Sequence, residues 1–144
     1  MEVRARLLSE TARLPSRAHH DDAAFDLCAD TALRLAPGAR ATVPTGVALA
    51  LPPGTCGLVL PRSGLAARHG VSVVNAPGLI DPGYRGEVMV ILLNTDREQA
   101  FEIEVGARIA QLLVLRTAEA ALVAVEGELE ETVRGARGLG STGR

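Results

Sequence analysis

Proline and glycine turn signals cut the apolar residues of this chain into short runs, and that punctuation constrains the fold more than any other feature. Pro37-Gly38, Pro52-Pro53-Gly54, Pro77-Gly78 and Pro82-Gly83 fall between or beside apolar runs at 47–51, 58–60, 71–74, 88–93, 109–115 and 121–125. Such runs, bounded by Gly and Pro, suit short strands, and their spacing predicts an all-β sandwich or barrel. In "FEIEVGARI", Phe101, Ile103 and Val105 alternate with polar residues, the period of a half-buried strand. One stretch, Ser63–His69, reads as a helix closed by Gly70, with Ser63 suited to its N-cap. No internal repeat is present.

At 144 residues the chain suits one domain. Hydrophobic residues make up 47% but aromatics only 2%, so the core must be built from Val, Leu, Ile and Ala. The formal charge is −2, from 15 basic and 17 acidic residues. That balance gives no general attraction to nucleic acid or an anionic membrane. No run approaches the roughly 20 apolar residues of a membrane span. The start, "MEVRARLLSE", is charged where a secretory leader needs an apolar run, so a soluble, cytoplasmic protein is expected. Cys28 and Cys56 lack metal-ligand spacing and read as small, buried or half-buried thiols. His19, His20, Asp21 and Asp22 read as a solvated loop, because four consecutive side chains do not converge on one ion.

Three stretches carry candidate chemistry. In "GLIDPGYRG", residues 78–86, Asp81 sits where a strand meets a Pro-Gly turn, three residues before the only tyrosine, Tyr84. Asp in such a place serves either turn chemistry, by bonding to nearby backbone, or a reaction. "PRSG", residues 61–64, follows a strand and opens the short helix, where unpaired N–H groups attract anions. The third stretch is the end, "TVRGARGLGSTGR", residues 132–144. Its "GLGSTG" matches G-x-G-x-x-G, but the strand and helix of a dinucleotide site are missing around it. Its glycines, Arg134, Arg137, Ser141 and Thr142 suit either a solvated tail or an arm that orders over a polyphosphate.

Taken with two further stretches, these resemble, in order, the five motifs of the trimeric dUTP pyrophosphatases, the dUTPases. "AAFDLCA" at 23–29 resembles the first, with Asp26 as its acid. "PRSGLA" at 61–66 resembles the second and "VVNAPGLIDPGYRGEV" at 73–88 the third. "GARIAQLLV" at 106–114 and "RGARGLGSTG" at 134–143 resemble the fourth and fifth. The resemblance implies an all-β, jelly-roll-like barrel or sandwich with one short helix. It implies a β domain over 1–131 and a flexible arm over 132–144 that closes on the active site. It further implies a homotrimer with shared active sites and Mg²⁺-assisted hydrolysis of dUTP to dUMP and pyrophosphate. That reaction keeps uracil out of DNA and supplies dUMP for thymidylate synthesis.

Roles follow from the same resemblance. Asp81 is the base that activates the attacking water. Tyr84 packs on the deoxyribose, Asn75 reads the uracil edge, and Gly78 and Ile80 shape the pocket. Arg62, Ser63, Gly64 and Gln111 contact phosphates. Arg134, Leu139, Gly140, Ser141 and Thr142 belong to the closing arm, and Asp26 anchors the Mg²⁺ through water. Two positions depart from the family pattern: Ala24 stands where Gly is usual, and Leu139 replaces the Phe that stacks on uracil. A dCTP deaminase on the same fold would need a glutamate near position 91, and the residue there is Ile91, which cannot transfer a proton.

Overall fold

The structure, a computed structural model, describes residues 1–137. Ten strands and one helix follow in order: β1 (Arg4–Leu7), β2 (Phe25–Cys28), β3 (Leu33–Leu35), β4 (Arg40–Ala50), β5 (Thr55–Leu60), α1 (Ser63–His69), β6 (Val71–Val73), β7 (Gly78–Ile80), β8 (Glu87–Asn94), β9 (Phe101–Ile103) and β10 (Arg108–Arg116). One four-stranded sheet runs β1-β4-β8-β6, a second runs β2-β10-β5-β7, and β3 pairs β9. Every pairing is antiparallel. The architecture is the expected sandwich, and among the described residues no sheet closes into a barrel.

Alternation along the strands decides which side chains meet. β5 buries Thr55, Gly57 and Val59, and β8 buries Val88, Val90, Leu92 and Asn94. Val59, Val88, Val90 and Leu92 pack with Leu27, Val43, Val47, Ile109 and Leu112 in an aliphatic core. Each such Val or Leu contributes about 1.5–3 kcal/mol by leaving water. Buried side-chain polar groups are satisfied among the described residues, with the exception of Asp26 Oδ1. Thr45 Oγ1 donates to Val88 O at 2.6 Å, and Asn94 Nδ2 donates to Leu35 O at 3.1 Å and Gln99 O at 2.8 Å. Unpaired, each would cost roughly 1–3 kcal/mol.

The helix has the predicted bounds, and Gly70 closes it in the left-handed region, at φ 62°. Its start differs. Arg62, at φ −90° and ψ 124°, occupies the N-cap position without a side-chain cap bond, and Ser63 is the first helical residue. Two strand expectations are also corrected. Phe101 and Ile103 lie in β9, but Val105 is exposed in the turn before Gly106, whose φ is 81°. The apolar run at 121–125 forms no strand, and Leu122, Val123 and Val125 are exposed. Among the described residues no helix is long and apolar enough to cross a membrane.

Candidate active site

Two groups of predicted residues lie along opposite edges of β5. On one edge, Val59 faces Gly78 and Gly57 faces Ile80 across the β5–β7 ladder. On the other, Leu60 faces Gln111, which in turn faces Asp26 across β10 and β2.

The first group lines a cavity of about 210 Å³ that includes Asn75, Gly78, Ile80, Asp81, Tyr84 and Glu87. The turn after β7 explains why Asp81 is available to it. Tyr84 N–H donates to the main-chain carbonyl of Asp81 at 3.1 Å, so backbone closes the turn. Among the described residues the Asp81 carboxylate makes no hydrogen bond or ion pair, and the residue is exposed. Turn chemistry therefore does not use its side chain. Gly78 has a packing reason to be glycine: a Cβ there would lie 3.1 Å from the Asn75 amide nitrogen. The Tyr84 ring stands at the rim, 46% exposed, and its hydroxyl donates to Glu87 O at 2.9 Å.

The second group centres on Asp26, buried to 7% exposure. Arg62 Nε lies 3.2 Å from Oδ1, and Arg108 Nη1 donates to Oδ2 at 3.1 Å. Arg62 Nη1 also donates to Arg108 O at 3.1 Å. The Arg62 contact is an ion pair without hydrogen-bond alignment, so Oδ1 is buried with no hydrogen-bond partner. Ser63 and Gly64 form the first turn of α1, where backbone N–H groups have no intrahelical acceptor. Together these residues offer two guanidinium groups and unpaired donors, a surface suited to phosphate oxygens.

Among the described residues, no three His, Cys, Asp or Glu side chains converge as a metal cage. That donor set does not hold a divalent ion by protein ligands alone. It fits Mg²⁺ carried by substrate phosphates and water, with the unbonded Asp26 Oδ1 as an outer acceptor.

Cys28 lies half-buried on β2 beside this group, and burial pushes its thiol up. Cys56 is half-buried as well. Residues 19–21 are exposed and Asp22 is half-buried. Arg134 and Arg137 are exposed, each donating through Nε to the other's carbonyl at 3.2 and 3.0 Å. Leu139, Gly140, Ser141 and Thr142 lie outside the described residues. Among the described residues no hydrogen bond or ion pair joins Asp81 or Tyr84 to the Asp26 group.

Sequence reasoning did not single out Arg108, Glu87 or Gly86. Arg108 stands inside the stretch 106–114, and nothing in its spacing shows that it meets Asp26. Glu87 and Gly86 stand inside a stretch already quoted, but nothing in their spacing shows what they touch.

Comparisons with known proteins show the family and the fold. The dUTPase family profile matches residues 10–143. The deoxyuridine 5'-triphosphate nucleotidohydrolase of Leifsonia xyli subsp. xyli (strain CTCB07) is 54% identical over 131 residues, 91% of this chain and 86% of that protein. The protein of the same name from Thermobifida fusca (strain YX) is 52% identical over 143 residues, 99% of this chain and 79% of that one. Among solved structures, a variant of the Staphylococcus bacteriophage 80alpha dUTPase with dUpNHpp aligns at a TM-score of 0.92, with 28% identity and 99% of both chains covered. A variant dUTPase from phage phi11 of S. aureus, described for the coordination of a structural Mg(II) ion, aligns at 0.82 with 27% identity, over 88% of this chain and 98% of that one. A sandwich with these motifs in this order, matched over nearly its whole length by sequence and by structure, belongs to the dUTPase family.

Proposed function

We propose that this chain hydrolyses dUTP to dUMP and pyrophosphate in a cytoplasmic homotrimer whose active sites draw on more than one subunit. The observation that carries the reading is the Asp81 carboxylate, unbonded within the described residues, on the wall of a cavity rimmed by Tyr84 and Asn75. In this reading the cavity takes the deoxyuridine. Asn75 and nearby backbone groups pair with the uracil edge, and a base of the wrong pattern leaves buried donors or acceptors unpaired. Tyr84 packs on the sugar and leaves no room for a 2′-hydroxyl.

Asp81 takes the proton of a water as that water attacks the α-phosphorus. A positioned base of this kind contributes about 10²- to 10⁴-fold. The leaving group is pyrophosphate, and its charge is met by Arg62, by the N–H groups of Ser63 and Gly64, and by Gln111. Bound Mg²⁺ would supply further neutralisation of the phosphates, with Asp26 holding its water shell. Arg134, with residues 139–142, would close the arm over the outer phosphates and exclude bulk water.

Two features support shared sites. The Asp81 cavity and the Asp26 group have no hydrogen bond or ion pair between them within the described residues. Beyond β10 every described residue is exposed, including Leu122, Val123, Leu129 and Val133. Scattered single apolar residues need no explanation, but a run of this kind marks an interaction surface. The division into a β domain, 1–131, and an arm, 132–144, is part of the same proposal and rests on the glycine- and arginine-rich composition of 132–144. The test is direct: incubate the protein with dUTP or dCTP and Mg²⁺, and assay pyrophosphate and ammonia. Pyrophosphate from dUTP is expected; ammonia from dCTP would support a deaminase instead.

A further inference from the structure

Gly86 lies against the Tyr84 ring, and we propose that its missing side chain sets where that ring stands and hence how sharply the site rejects ribose. The inference rests on the reading of Tyr84 as the sugar-contacting residue. A Cβ built on Gly86 would lie 2.6 Å from Tyr84 Cζ and 3.0 Å from Cε2, and in contact with the hydroxyl oxygen. Leaving aside Arg85 and Glu87 on either side, these three atoms are its nearest neighbours, and all belong to that one side chain. Carbon atoms do not approach so closely, since their optimal separation is about 3.5–4.0 Å. Any larger residue at 86 must therefore move the ring.

Conformational freedom does not account for this glycine. The glycines with positive φ are Gly38, Gly46, Gly54, Gly70, Gly106, Gly127 and Gly135 among the described residues, and Gly86 is not one of them. What the position requires is close approach. The ring is also tethered. Its hydroxyl donates to Glu87 O at 2.9 Å, while Glu87 Oε1 accepts the Gly46 N–H at 2.7 Å. Gly46 lies where the β4–β8 register shifts, between Pro44 and Ala48. The ring is thus set by bare backbone at Gly86 and by a bond to a residue anchored in the neighbouring strand. Because Tyr84 is 46% exposed, a methyl group at 86 can push it outward without disturbing the core. Gly86 is a positioning residue in this account, acting only through Tyr84.

The experiment compares Gly86→Ala, Tyr84→Ala and the double variant as full chains. It measures kcat/KM for dUTP and UTP, and the emission of Tyr84 in the proteins that keep it. Tyr84 is the only tyrosine in a chain without tryptophan, so that emission reports on this ring alone. Gly86→Ala should lower the preference for dUTP over UTP by about tenfold or more, and change the intensity of Tyr84 emission. In the Tyr84→Ala background the same substitution should have no further effect, a non-additivity that a role independent of the ring would not give. If Gly86→Ala lowers the preference equally in both backgrounds, or leaves Tyr84 emission unchanged, the proposal is overturned. It is overturned too if Tyr84→Ala lowers the preference and Gly86→Ala does not. If Tyr84→Ala leaves the preference unchanged, the sugar-contact reading has failed, and a change of emission in Gly86→Ala still separates that failure from failure of the ring contact. Should Gly86→Ala fail to fold, folding of the double variant supports the ring clash, and misfolding of both overturns it.

Discussion

Arg62 and Asp26 form an ion pair, Nε to Oδ1 at 3.2 Å, that fastens the residue before α1 to strand β2. Arg108 holds the other carboxylate oxygen at 3.1 Å. One acid therefore positions two cations that would otherwise repel each other. Asp26→Ala removes that centre. It should destabilise the fold by about 1–3 kcal/mol, less than a fully buried pair because both arginines are partly exposed. A urea denaturation midpoint measures this. In the folded fraction kcat/KM for dUTP should fall by about tenfold or more. An unchanged midpoint would show that the pairing is incidental.

Asp81→Asn keeps the size of the side chain and loses its basicity. Turnover of dUTP should fall by about 10²-fold or more, while affinity for a non-hydrolysable dUTP analogue stays close to that of the parent. Steady-state kinetics and equilibrium titration read the two effects separately. Turnover near the parent's would remove Asp81 from the mechanism.

Leu122→Glu places a charge in the exposed apolar run after β10. In the proposed trimer that run is covered by a neighbour, and burying an unpaired charge there is costly. Light scattering after size exclusion should show a shift from trimer toward monomer. An unchanged trimer would mean that the run is not part of the interface.

Removal of residues 134–144 should leave the fold and assembly intact and abolish most hydrolysis, since the described part of that segment packs on no strand. The sharper measurement mixes two inactive proteins. Asp81→Asn supplies the arm, and the truncated chain supplies Asp81. Unfolded together and refolded, they should recover a substantial fraction of parental activity. Mixed trimers as inactive as either parent would place the arm over its own subunit's site.

Asp96 gives a pH prediction distant from the site. The backbone N–H groups of Gln99 and Glu98 donate to its Oδ1 at 2.9 and 2.8 Å and hold its carboxyl below the usual carboxylate range. A carboxyl depressed in the folded state stabilises above its unfolded pKa, and that contribution is lost as pH falls through the folded pKa. Asp96→Ala should therefore melt below the parent at neutral pH. The gap should narrow as the pH falls below the usual carboxylate range and through the folded pKa of Asp96. A gap independent of pH would mean that the charge contributes nothing.

Much of this was legible in the residues. The helix and its closing Gly70 could be read because a left-handed cap favours glycine. Asp81, Asn75 and Tyr84 could be grouped because they lie within one turn and its flanks. The cap at Ser63 was misplaced by one residue because Arg62 already holds extended backbone there. The exposure of Val105 was hidden because strict alternation does not announce where a strand ends. Arg108 was hidden for another reason: its carboxylate partner is 82 residues away, and long-range pairing leaves no local pattern. The run at 121–125 has strand composition, yet within the subunit it meets no strand to pair with.

Strand β5 meets Gly78 through Val59 and Gln111 through Leu60, adjacent residues serving opposite edges. A length change within it cannot be absorbed locally, because slipping by one residue turns every side chain to the other face. The Asp81 cavity and the Asp26–Arg62–Arg108 group would be displaced together. Insertions and deletions should therefore be tolerated in exposed connections, such as the turn at Pro53 and Gly54, and excluded from 55–60. A scan of single-residue insertions along the chain would map β5 as a rigid gauge that holds the Asp81 cavity and the Asp26 group at a fixed separation.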